Sequence, residues 1–216
     1  MKLEEFRKIN YDLERDSDCE AWKFYLGFYE GLSDEKLKKY GCRLVHPIDT
    51  LPNTFLGGDV IINTHRMPER MRSKIKEEKE RYSPVNIGLL PCQGNFQIIK
   101  NRCGSDFRID LFIKMINDYY ISGEIEPLLY KAKMWKKGDT ERQNYTKQKL
   151  EDILKYYGGI QKFVRSVYGI NDEAFVKYLV YKPEERDEEA IIDMIESFWD
   201  HRMKEINKKR KSIGMV

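Results

Sequence analysis

No run in this 216-residue chain approaches the apolar length that a bilayer-crossing helix needs, and mean hydropathy is -0.68. A membrane partner is therefore not expected. The first residues, Met1, Lys2, Leu3, Glu4, Glu5 and Phe6, are acidic and helical in pattern rather than signal-like, so a cytoplasmic location is the expectation. The four cysteines, Cys19, Cys42, Cys92 and Cys103, form no C-x-x-C pair, which sets aside a zinc ribbon and leaves free thiols. There is no P-loop, no G-x-G-x-x-G and no H-E-x-x-H. Neither Ser83 nor the cysteines carry a local activating signature for nucleophilic catalysis. The net charge of +3 is too small to argue for nucleic acid by itself.

What is present is a core. A hydrophobic fraction of 41%, with 14 Tyr among the aromatics, separates the chain from disordered sequences. Charge is unevenly placed, with basic residues gathered at 131–137 and 204–211 and acids at 184–189.

In chain order, Leu3, Phe6, Ile9 and Leu13 recur at helical spacing, and a Ser17/Glu20 capping box opens a second helix. Ser33 caps a third, which stops at Gly41. From 42 to 64 the helical period vanishes. Pro47, Pro52 and Gly57-Gly58 break this stretch into turns, with short strands at 43–46 and 60–63. Pro68 opens a charged helix through about residue 81, with Met67, Met71 and Ile75 as its apolar stripe. Its outer face is either solvated or turned toward a polyanion.

Beyond residue 100 helices dominate. Ser105 or Asp106 caps a helix from 107 to 120 whose apolar residues cover more than one face, marking it as the central core helix. Phe112 and Met115 on it are expected to be buried. Further helices are predicted at 125–134, 140–157, 160–168, 172–181 and 187–211. The charged stretch 135–148 reads as a mobile connection. The fold class that follows is α+β, mainly α-helical. A small irregular strand module packs on a central helix, with a helical C-terminal layer against it. Residues 1–134 form the motif-bearing core, and 135–216 a helical region packed on the same domain.

One stretch carries more asparagine than structure requires: Val85-Asn86-Ile87-Gly88-Leu89-Leu90-Pro91, then Asn95 and Lys100. Two readings stay open. In the first, Asn95 caps the following helix and Asn86 holds the loop by bonding its own backbone. In the second, the pattern resembles the later half of an HNH-type endonuclease motif, in which an apolar strand leads through a turn to an Asn or His on a helix. It is similar to the C-terminal HNH domains of modification-dependent restriction systems. It is also similar to an uncharacterised bacterial and phage-borne family with Asp49-Thr50, Asn53 and a helix running from Asp110 to Tyr119-Tyr120.

The resemblance spans about residues 42–120 and implies a magnesium- or manganese-dependent nucleic-acid endonuclease, or a decayed relative that still binds nucleic acid. By it, His46 is the base, Asn86 its orienter, Asn95 a metal ligand and Lys100 a phosphate contact, with Asp49 or Asp59 from the nearby turns standing in as the second ligand. Val45 departs from the pattern, standing where an acid or His is usual. His65 is an alternative base, and His201 a surface residue. Arg102, Lys208, Lys209 and Arg210 complete the expected nucleic-acid contacts. The competing expectation is a non-catalytic helical factor of a phage or mobile element that binds a protein partner.

Overall fold

A computed structural model of the chain describes residues 44–45, 55–75, 84–91, 96–104, 106–132 and 140–212. The fold is mainly helical, with a small antiparallel sheet in the order β1 (Leu44–Val45), β2 (Phe55–Val60), β3 (Ile87–Pro91). The three helices expected before residue 42 lie outside the described residues. In the sheet Leu44 pairs with Leu56, Gly57 with Leu90, and Val60 with Ile87. The expectation of a turn at Gly57-Gly58 is corrected, since both lie within β2, and the strand ends at Val60 instead of starting there. Pairing with Leu90 and Leu89 of β3 supplies hydrogen bonds that outweigh the weak strand preference of glycine.

Between the last two strands lie a 3-10 turn at Thr64–Arg66 and a short helix α1 (Glu69–Arg72), which bury Met67 and Met71. Helix was expected to continue to 81. It gives way to turn at Ser73, and residues 76–83 lie outside the described set.

The helices that follow are α2 (Phe96–Cys103), α3 (Ile109–Ser122), α4 (Glu126–Lys131), α5 (Thr140–Tyr157), α6 (Ile160–Tyr168), α7 (Glu173–Val180) and α8 (Glu188–Ser212). Gly123 and Gly169 end α3 and α6 in the left-handed conformation, at φ 75° and 70°, which glycine enters without a Cβ penalty. The start of α3 differs from expectation. Asp106 adopts φ 64° and its carbonyl accepts from the Asn63 amide at 2.9 Å, so the helix begins two residues after Phe107. The stretch 140–148, expected to be mobile, is the first half of α5. Buried Thr146 and the Lys147–Glu126 ion pair at 3.1 Å hold it against α4.

Core burial runs on both sides of residue 134 as one apolar cluster, from Ile61 to Trp199. Phe112 is 0% exposed, as expected, while Met115 is only partly buried. Phe163 on α6 lies at the middle of the rings, 6.2 Å from Phe112, 6.1 Å from Phe96 and 5.2 Å from Tyr157. The edge-on geometries to Phe112 and Tyr157 are those the ring quadrupoles favour. No helix among the described residues is long and apolar enough to cross a membrane.

Candidate functional site

The asparagine stretch folds as a 3-10 turn at Pro84–Asn86 running into β3. Val85 and Asn86 are each 1% exposed. Asn86 uses its amide as a substitute peptide group. Its Nδ2 donates to the Ile62 carbonyl at 2.7 Å, and its Oδ1 accepts from the Ile62 amide at 3.0 Å. The same Oδ1 accepts from the Trp199 indole Nε1 of α8 at 3.2 Å. The Asn86 carbonyl in turn accepts from the Ile61 amide at 2.9 Å.

Around it, buried Arg202 donates from Nε to the Val85 carbonyl at 2.8 Å and from Nη1 to the Tyr168 carbonyl at the end of α6. Gly88 sits in close packing, where a side chain would require its neighbours to give way by a few tenths of an ångström. A Cβ there would stand 3.1 Å from Ile61 Cγ1 and 3.4 Å from Tyr168. The turn, the exit of β2, α6 and α8 are thus tied at one point.

This geometry corrects the role expected of Asn86. An orienter of a histidine base needs a free lone pair on Oδ1, and a carbonyl oxygen has two. Both are filled, by Ile62 and by Trp199. The bonding also differs from the loop reading, because Asn86 binds a segment 24 residues away and not its own backbone. Lys100 is corrected as well. It is 5% exposed and its Nζ donates to the Val60 carbonyl inside the fold. Arg102 is half-buried and donates to the Lys131 carbonyl at 2.9 Å, while Lys131 donates back to the Arg102 carbonyl at 3.0 Å. These two cations serve the carbonyls at the ends of α2 and α4, as cations near helix C-termini do.

His46, Asp49 and Asn95 lie outside the described residues. His65 is exposed on the 3-10 turn. Among the described residues there is no group of three or more His, Cys, Asp or Glu side chains suited to a metal ion. Lys208 is exposed, with its Nζ 2.6 Å from Glu205 Oε1. Lys209 and Arg210 follow it on α8, and nothing is described of their side chains.

Two features were not foreseen. Asp110, 0% exposed at the start of α3, accepts from Arg108 Nε and Nη2, both at 2.9 Å, and from Arg186 Nη1. No local pattern marked it, since Lys114 and Asn117 share its side of the helix and Arg186 lies 76 positions away. The other is a groove of about 390 Å³ between the start of α7 and the last turns of α8, lined by Asp172, Glu173, His201, Lys204, Glu205 and Lys208. His201 is not a free surface residue. Its ring stacks on Phe175 at 4.0 Å, and its Nδ1 lies 3.6 Å from Asp172 Oδ2. Asp172 caps α7 by accepting from the Phe175 amide at 3.0 Å. That bond, then His201 and Lys204, hold its carboxyl below the usual range.

The chain matches no family model, no curated protein and no solved structure.

Proposed function

We propose that this chain is a nucleic-acid-binding protein that grips phosphates non-catalytically, with the basic end of α8 as its contact. The observation that carries this reading is the course of α8. The helix continues to Ser212, yet Arg202 is the last of its described side chains to be buried. The turns beyond it hold Lys204, Lys208, Lys209, Arg210 and Lys211 against the single acid Glu205. A helix turns 100° per residue, so cations at four consecutive positions spread around its circumference instead of forming one stripe. Lysine and arginine contacts to phosphate fix position without reading sequence, so the binding expected is sequence-independent.

Cations also suit the negative pole of a helix C-terminus whether or not anything binds there. Salt dependence separates the two roles. Binding of a fluorescent DNA duplex and of single-stranded RNA is to be followed by anisotropy across a salt series. The wild type is expected to lose affinity steeply, with a log–log slope of about -0.9 per phosphate contacted on duplex DNA. The variant carrying Lys208→Gln, Lys209→Gln, Arg210→Gln and Lys211→Gln should flatten that slope. An unchanged slope removes the binding role from α8.

Asn86 supports the non-catalytic form of the proposal, because its oxygen is committed to the framework. Plasmid DNA incubated with magnesium or manganese is therefore expected to stay intact. Cleavage that disappears in Asn95→Ala would return the HNH-like nuclease to first place.

A further inference from the structure

A second basic surface lies far from the end of α8 in sequence. Arg66, Arg70, Arg72 and Lys74 lie on and beside α1, whose apolar side is fixed by buried Met67 and Met71. Arg70 and Lys74, one helical turn apart, are both engaged by the consecutive acids that open α8. Arg70 pairs with Glu188, and Lys74 with Glu189. The Lys74–Glu189 pair is solvent-exposed, and exposed Arg70 meets a half-buried Glu188. Arg72 pairs with Glu69, and Arg66 lies 3.7 Å from Asp106.

We infer that Glu188 and Glu189 stand where phosphates of a bound nucleic acid would sit, so that Arg66–Lys74 is a second phosphate-binding surface masked by the start of α8. The inference rests on the nucleic-acid-binding reading above. Three physical points carry it. Exposed ion pairs are weak, because water and salt screen them and two long side chains must be held still, so phosphates can displace them. Released glutamates are not stranded, since they remain at the positive N-terminal pole of α8, where negative charge is favoured. Phosphate contact also releases counterions condensed on the nucleic acid, a gain the internal carboxylates do not provide.

The test combines Glu188→Gln and Glu189→Gln in the full chain, with duplex DNA binding measured by anisotropy across a salt series. Unmasking two cations should tighten binding several-fold at low salt and steepen the log–log slope by about 1.8, two phosphates' worth. Adding Arg70→Gln and Lys74→Gln should cancel that gain, whereas adding Lys155→Gln and Lys177→Gln, exposed cations away from α1, restores the same net charge and should leave it, which separates this surface from a general effect of net charge. The same acid-to-amide pair placed on the variant neutralised at 208–211 distinguishes the two surfaces. Binding that appears there supports the masked surface even though the α8 end is silent. A wild type that binds through 208–211, with no change of slope in the Gln pair, overturns the inference and leaves the proposed function standing. No binding by any variant overturns both. Superimposable thermal unfolding curves confirm that each variant is folded.

Discussion

Trp199 donates its indole N–H to the side-chain oxygen of Asn86 at 3.2 Å, joining residues 113 positions apart. This bond fixes the turn before β3 to the middle of α8, and Arg202 repeats the tie one turn later through the Val85 carbonyl. Removing the Asn86 amide leaves the indole N–H and both backbone groups of Ile62 without those partners inside the fold. Each such buried group costs about 1–3 kcal/mol, so Asn86→Ala should lose roughly 3 kcal/mol or more in denaturant unfolding. Trp199→Phe removes one of these bonds, and a double-mutant cycle should return a coupling of about 0.5–3 kcal/mol. If Asn86→Ala unfolds at the wild-type denaturant concentration, the clamp is not structural.

The helical half of the chain was legible because its signals are local. The helices expected at 140–157 and 160–168 are α5 and α6, and the one expected at 172–181 contains α7, with Asp172 as its cap. The sheet was harder to read. Gly57 and Gly58 look like turn residues until their partners Leu90 and Leu89 are known, and those lie 33 and 31 positions away. Two residues of the candidate stretch proved ambiguous for a related reason. Asn86 and Lys100 carry chemistry that serves equally well for catalysis or for pairing buried backbone groups. Their surroundings decide between the two, and those surroundings come from Ile62, Val60 and Trp199.

Phe112 faces Phe163 edge-on, with 0% of its surface exposed. Truncation to alanine combines lost transfer free energy with a cavity and should cost about 3–5 kcal/mol. Phe112→Leu keeps most of the volume and should cost clearly less. Thermal melts of the two variants check this, and equal loss in both would indicate a loosely packed α3.

Asp110 holds two arginines, and through Arg186 it links α3 to the Tyr178 and Leu179 carbonyls at the end of α7. Removing one member of a buried ionic cluster strands the others, so Asp110→Ala should cost about 3–5 kcal/mol. Asp110→Leu combined with Arg186→Met removes charge from both sides and should recover part of that loss. Failure of the double variant to improve on Asp110→Leu alone would indicate that Arg186 is not balanced by Asp110.

Asp172 provides the pH test. The Phe175 backbone N–H, followed by the charges of His201 and Lys204, holds its carboxyl below the usual 3.8. The sign of the linkage follows from that depression. A carboxyl that ionises more readily in the folded chain than in the unfolded one contributes stability above the unfolded value. That contribution is lost as pH falls through the folded value. Asp172→Asn keeps an oxygen for the Phe175 amide but cannot titrate, while Asp172→Ala loses the cap altogether. At neutral pH the order of Tm should be wild type, then Asp172→Asn, then Asp172→Ala, with Asp172→Ser close to the Asn variant because serine also caps. The gap between wild type and Asp172→Asn should stay constant from neutral pH down to about 5, then close at lower pH as the carboxylate protonates. A gap that fails to close at low pH would show that ionised Asp172 contributes no stability of its own.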